Sequence, residues 1–429
     1  MSLAAPPIAA SADHAETARA AAFVGVFALA LITLKPFADL RAEDSLDVVG
    51  GRDALTYLAF AALAAICVAL VWRSDAPALA SLRKPAFLAL GGWVAVCAAL
   101  SPDPSTATKR AALCGLVATV AAAAPLLPRG RAHQARLLAT VAWLVIGLSY
   151  FGVLLIPDNA IHQASDFVEP ELAGSWRGLF EHKNDASLAF GMLAFVGLYV
   201  AQAGRQAEGV AIAGLSLVFL IFTRGKTATM IWIPVLLLSS LVRGLRDRRL
   251  AAAAALAPVV LLNALGVGSV VFRPLGEFVA RLPIDSTFTG RSDVWAFAVG
   301  KVAARPIAGY GFDTFWNNSA MRFDAENGWL TNVAHAHNGY LDAALSMGAI
   351  GLALTLWAFI GQPLQDLAAA SRRGADPALT TLFARIWLYG LCASSLETFL
   401  FDRANPVWFV FLFALFGLRY IAAFGTSAA

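Results

Sequence analysis

Charge is what this sequence has least of. Only 14% of its 429 residues are Asp, Glu, Lys or Arg, against roughly 25% in an ordinary soluble domain, and apolar residues reach 59%. A soluble protein covers its surface with charge. With so little of it, lipid must cover most of the exterior, which excludes a string of soluble domains despite the length. Cysteine is scarce as well. Cys67, Cys97, Cys114 and Cys392 each lie inside an apolar run, without the paired loop spacing of a disulfide framework or a zinc site, and read as small buried fillers. A net charge of +4 is too small to argue for nucleic acid. Internal repeats and low-complexity linkers are missing too. The leading segment sets Arg19 against Asp13 and Glu16 and has no obvious small-residue cleavage site, so the first apolar run is expected to be a span rather than a cleaved signal.

What is present is a series of long apolar runs. A helix needs about 20 mostly apolar residues to cross a bilayer, or somewhat fewer where neighbours shield its ends. The sequence predicts an all-α, polytopic helix bundle with about 12 such spans. They are placed at 20–36, 54–72, 86–100, 110–127, 135–156, 184–203, 208–222, 227–242, 250–271, 340–360, 379–400 and 405–424. The expected division is 1–271 for the first nine spans, 272–339 for one large extramembrane loop, and 340–429 for the last three.

Lys and Arg in short loops orient such a bundle. With the N-terminus inside, the inner loops carry Arg73, Arg83, Lys84, Arg129, Arg131, Arg136, Arg205, Arg243, Arg246, Arg248, Arg249, Arg372 and Arg373. The opposite loops at 37–53 and 157–183 are rich in Asp and Glu. The outer side nevertheless holds Arg177, Lys183, Arg224, Lys226, Arg273, Arg281, Arg291, Lys301, Arg305, Arg322 and Arg403. Long loops cross regardless of charge, but cations at the mouths of spans are costly unless they face water or an anion. Snorkelling explains any one of them. The group points to an anionic ligand such as a diphosphate.

The loop 272–339 reads as ordered. Thr289 is the expected N-cap of a helix on which Val294, Ala298 and Val302 recur at helical spacing, with Trp295 and Phe297 beside them. Pro306 ends it, and the Gly-punctuated "IAGYGFDTFW" follows. Then His335, His337 and Asn338 run straight into a span. Imidazole is suited to moving a proton near neutral pH. A structural hydrogen-bonding role and a metal site stand as alternatives, the latter weakened because H-x-H lacks a third ligand; His162 and His182 are the other outer-side histidines.

Four blocks carry a family resemblance: "WRGLFEHKNDASLAFGM" at 176–192, "TRGKTAT" at 223–229, "GRSDVWAFAVGKVAARPIAGYGFDTFW" at 290–316 and "HAHNGYLDAALSMGAIGL" at 335–352. In this order the chain resembles the O-antigen ligase-like superfamily of bacterial membrane glycosyltransferases, which includes O-antigen ligases and O-antigen and exopolysaccharide polymerases. The resemblance covers the second half of the chain and does not separate ligase from polymerase. It implies a GT-C-like bundle in the bacterial inner membrane with its active site facing the periplasm. The implied reaction is metal-independent, inverting transfer of a glycan from an undecaprenyl-diphosphate carrier to another glycan or to lipid A core, without a cofactor. On this reading His337, Arg291 and Arg177 are catalytic, with His337 as base. Arg224, Lys226, Lys183, His335 and Asn338 bind substrate, and arginine forks meet the phosphate oxygens. Glu397 and Arg403 are expected to pair with each other as a structural clamp, and Gly290, Gly309 and Gly311 to serve turns.

Two other classes compete. A transporter or flippase of lipid-linked or anionic envelope substrates suits a multi-span chain, but such proteins place polar groups and broken helices near the midplane. Here the spans are nearly free of charge, and Pro234 and Pro258 form no matching pair in two repeats. A non-catalytic scaffold would not need clustered Arg and His.

Overall fold

The computed structural model describes residues 8–41, 54–167, 169–245, 247–283, 285–288, 290–316 and 333–425. Thr289, the expected N-cap, and the basic Arg246 and Arg322 lie outside the described residues, as do Glu43, Asp44 and Asp47 of the first acidic loop. The described residues form helices and no strand beyond one isolated bridge between Ile161 and Trp176. In a bilayer only a helix or a closed barrel satisfies every backbone group, so apolar runs of this length become helices.

The longer helices are α1 (Ile8–Phe27), α2 (Ala54–Ala80), α3 (Pro85–Ala99), α4 (Pro104–Ala123), α5 (Gly130–Leu155), α6 (Lys183–Gln202), α7 (Gln206–Phe222), α8 (Lys226–Gly244), α9 (Arg248–Leu265), α10 (Arg291–Ala304), α11 (Gly339–Leu356, continuing through Gln362–Arg372), α12 (Pro377–Ala393) and α13 (Pro406–Phe424). Proline opens α3, α4, α12 and α13, where its missing N–H leaves no bond unmade. Among the described residues, eight helices are long and apolar enough to cross a membrane, and Pro85–Ala99, Gln206–Phe222 and Lys226–Val242 are shorter apolar helices. The most apolar windows of α6 and α13 are 78% and 83% buried, and α12 is buried almost throughout, which puts these three at the centre of the bundle. Those of α2 and α9 are 22% and 17% buried, which leaves faces such as Leu55, Leu58, Val260 and Leu261 to lipid.

Side-chain contacts sort the helix ends into two groups. At one end Arg19 reaches the carbonyls of Leu126 and Leu127, Arg131 pairs with Asp376 at 3.5 Å, and Arg419 pairs with Asp366. At the other end Arg177 bonds the Ala38 carbonyl, Asn263 bonds Ser395, Arg403 pairs with Asp313 and Asn405 bonds Asp185. Loop helix α10 lies at the second end, and the candidate site residues collect there with it.

One expected span ends early: 379–400 stops being helical at Ala393, whereas 250–271 is kinked at Gly266 but lies within one apolar stretch, Arg249–Val271, long enough to cross a membrane. The residues after Ala393 form a turn-rich segment that brings Glu397 to the bundle's end. α11 is also interrupted, at Gly348 (φ 66°, ψ −169°). The loop's Gly-punctuated turn docks there. Tyr310 N and Gly311 N donate to the carbonyls of Leu345 and Ser346 at 2.8 and 3.1 Å, and Ala349 N donates to Pro306 O at 2.7 Å. A Cβ at Gly348 would strike the Ile307 carbonyl, and one at Gly309 the Leu345 carbonyl, so backbone approaches backbone only because both are glycine. Loop helix α10 packs beside this junction through Val294, Trp295 and Ala298, which meet Phe315, Ala336, Leu341 and Leu345 in a small second core.

Candidate active site

The segment before α11 is held by two side chains. Asn338 caps the helix, its Oδ1 accepting from Leu341 N at 2.9 Å, and its amide donates to Asn263 Oδ1 and Ser395 O, both at 2.9 Å. One turn later, Asp342 accepts from Trp316 Nε1 at 2.7 Å, from Thr398 Oγ1 at 2.6 Å and from Ala336 N. With both flanks fixed, His337 sits in the left-handed region at φ 50°, a conformation uncommon outside glycine. Its ring keeps 32% of its side-chain surface exposed, and Nδ1 stands 3.6 Å from Glu397 Oε2. That is longer than a hydrogen bond but within ion-pair range.

Glu397 is the hub of the site. It is 7% exposed, accepts from Arg291 Nη2 at 2.9 Å, from Asn184 Nδ2 at 3.2 Å and from Thr227 Oγ1 at 3.4 Å, and faces His337. Burial works against its ionisation, but Arg291 and His337 outweigh that and hold the carboxyl at about 2. Four separated stretches of chain therefore converge on one carboxylate. The expected pairing of Glu397 with Arg403 does not occur: Arg403 Nη1 binds Asp313 Oδ2 at 2.7 Å instead. Arg291 opens α10 at its first helical position, behind Gly290 at φ 81°, and Arg291 Nη1 also donates to Leu396 O.

Around this core lie the other cations. Lys226 and Arg224 are exposed at the start of α8, with Arg224 in the left-handed region at φ 53°. Lys183 begins α6 within electrostatic reach of Lys226, Arg224, Glu169 and Glu397. Two carboxylate–imidazole pairs complete the face: His182 Nε2 lies 2.9 Å from Glu169 Oε2, and His162 Nδ1 lies 3.1 Å from Asp166 Oδ2. Burial opposes a charged His182 ring, yet Glu169 outweighs it and raises its pKa; His162, more governed by burial, drops to about 4.

Three of the residues expected to act on substrate are placed differently. Arg177 is 1% exposed and spends its guanidinium on the carbonyls of Phe180 and Ala38, tying two connecting segments together, and burial lowers its pKa to about 10. Asn338, also 1% exposed, is committed to its cap. His335 accepts from His337 N at 3.3 Å, its ring 4.1 Å from that of His337, and burial together with His337 pushes it well down towards the neutral form. Asp342, Asn184 and Thr227 are polar partners that sequence reasoning did not single out; Asp342, at helical spacing after Asn338, carried the only readable signal.

Among the described residues no group of three or more His, Cys, Asp or Glu side chains is arranged to hold a metal ion. What the face offers is a cation-rich rim, an imidazole beside a buried carboxylate, and a left-handed histidine backbone. No curated protein matches the chain. The family model described as O-antigen ligase matches residues 209–356, a stretch running from α7 into α11 that takes in Arg224, Lys226, Arg291, His335, His337 and Asn338 but not Arg177, Lys183 or Glu397. That match spans about a third of the chain and makes this stretch similar to the O-antigen ligase family, within a protein that has eight helices long and apolar enough to cross a membrane among its described residues.

Proposed function

We propose that the protein transfers a glycan from an undecaprenyl-diphosphate carrier to an acceptor sugar at the periplasmic face of the bacterial inner membrane, either lengthening a polysaccharide or loading lipid A core. The observation that carries this reading is the convergence of Arg291 and His337 on Glu397 beneath a rim of Lys183, Lys226 and Arg224. The basic loops at the opposite end of the bundle support the orientation.

The acceptor hydroxyl oxygen attacks the anomeric carbon and forms the new glycosidic bond. The bond from that carbon to the phosphate oxygen breaks, and its electron pair leaves on the carrier diphosphate. The hydroxyl proton passes to His337. With Nδ1 turned toward Glu397, Nε2 supplies the lone pair, and Glu397 stabilises the imidazolium that results. Charge growing on the leaving diphosphate is met by Lys183, Lys226, Arg224 and the remaining N–H groups of Arg291. One direct displacement inverts the sugar carbon. These cations do the work that a metal ion does in other diphosphate enzymes, so transfer should persist in excess chelator, and loss restored by a divalent ion would overturn the metal-independent mechanism. Arg177 and Asn338 take positioning roles: they hold the segments that carry Lys183 and His337.

The test is the product formed by purified protein given undecaprenyl-diphosphate-linked oligosaccharide. Longer carrier-linked chains identify a polymerase, and glycan on added lipid A core identifies a ligase. Substrate recovered unchanged with both acceptors would sink the proposal.

A further inference from the structure

One anion already stands among the cations of the site. Glu169 Oε2 is 2.9 Å from His182 Nε2, with 41% of the Glu169 side chain exposed. The charges it senses are those of His182, His162 and His337, and Lys183 senses Glu169 in turn. Unlike Glu397 and Asp166, which are buried against their partners, a carboxylate exposed in this position repels an incoming diphosphate.

The geometry of His182 explains what the carboxylate does there. Its Nδ1 accepts the amide hydrogen of Asn184 at 3.1 Å and caps α6. In the neutral ring the proton therefore resides on Nε2, the atom 2.9 Å from Glu169 Oε2. An Nε2–H donates to a phosphate oxygen as readily as to a carboxylate oxygen. Glu169 itself sits at the edge of the short turn Pro170–Leu172, whose backbone is fastened by Leu172 N donating to Glu169 O at 3.1 Å and Ser175 N donating to Leu172 O at 3.0 Å. With 41% of its surface open to solvent, its side chain borders space into which it can turn while that backbone stays fixed.

We propose, resting on the diphosphate reading above, that Glu169 is an intramolecular competitor: its carboxylate occupies the seat of a phosphate oxygen against His182 Nε2 and is displaced when a diphosphate headgroup binds. Its return after transfer helps expel the spent carrier diphosphate. The site thus trades affinity for turnover.

The experiment is equilibrium binding to the purified full-length protein in nanodiscs, with inorganic pyrophosphate and undecaprenyl diphosphate as separate probes. Glu169→Gln keeps an acceptor for His182 and removes the charge. A competitor seated nine-tenths of the time weakens apparent affinity about tenfold, so Glu169→Gln should bind both probes about tenfold more tightly. Glu169→Asp, which keeps the charge, should not tighten either probe. Unchanged or weaker binding by Glu169→Gln, with wild-type protein binding normally, overturns the competitor and leaves the diphosphate site standing. Tightening for pyrophosphate alone also overturns it, because the seat would then lie out of reach of a lipid headgroup. Wild-type protein that binds neither probe overturns the underlying diphosphate reading instead.

Discussion

Arg291 Nη2 donates to Glu397 Oε1 at 2.9 Å, joining the loop helix to the turn after α12 across 106 residues of sequence. Glu397→Gln removes the charge that anchors Arg291 and faces His337 while keeping the size. A hydrogen bond between charged groups contributes about 1.5–3 kcal/mol, so kcat should fall by about 10- to 100-fold. Steady-state transfer kinetics measure it, and an unchanged kcat would remove Glu397 from the mechanism.

His337→Ala should lower transfer by about 10²- to 10⁴-fold, the range of general-base catalysis. Membrane insertion and abundance should stay normal, because the segment is held by Asn338 and Asp342 rather than by the imidazole. Wild-type transfer by this variant would refute the assignment.

Arg291→Lys keeps a positive charge and loses the fork that reaches Glu397 and Leu396 together. Activity should drop by at least about tenfold, since a single ammonium cannot hold Glu397 and a phosphate oxygen in one plane. Full activity in the same transfer assay would show that charge alone suffices.

The Glu397 carboxyl, ordinarily near 4.5, is held at about 2. A carboxylate depressed by folding adds stability above its ordinary value and loses that contribution as pH falls through the folded one. The stability difference between wild type and Glu397→Gln should therefore be constant from neutral pH to about 5 and close between about 4.5 and 2. Thermal melts in detergent across that window are the check. A difference that vanished above pH 5 would contradict the ion-pair description.

Much of the bundle could be read in advance, and the reason is solvent. Long apolar runs have one way to satisfy their backbone in lipid, and charge between them marks the loops. His337, Arg291, Arg224 and Lys226 were readable because each lies in a short block of local sequence. Glu397 was not: its sequence neighbour Arg403 looked like the natural partner, whereas Arg291, Asn184, Thr227 and His337 all arrive from distant segments. Arg177 misled for a related reason. An arginine at the mouth of a span looks the same in sequence whether it faces a ligand or is buried against carbonyls, and here it is buried.

Gly348→Ala should destabilise the protein by more than about 1–2 kcal/mol, the cost of the left-handed backbone alone, because its Cβ also meets the Ile307 carbonyl. Gly300→Ala, on α10 with nothing within 4 Å, is the matched control and should be neutral or mildly stabilising. Equal melting temperatures for the two variants would mean that the backbone junction is not tight.

That junction also limits how relatives of this protein can be recombined. The carbonyls of Leu345 and Ser346 and the amide of Ala349 find their partners in residues 306–311 rather than within α11. A chimera that received a foreign loop without the matching helix segment would carry unpaired backbone groups into the membrane, at several kcal/mol each. Acceptor or donor preference should therefore move between relatives only when loop and helix are exchanged together, with the crossover placed after residue 349 rather than at the apparent edge of the loop.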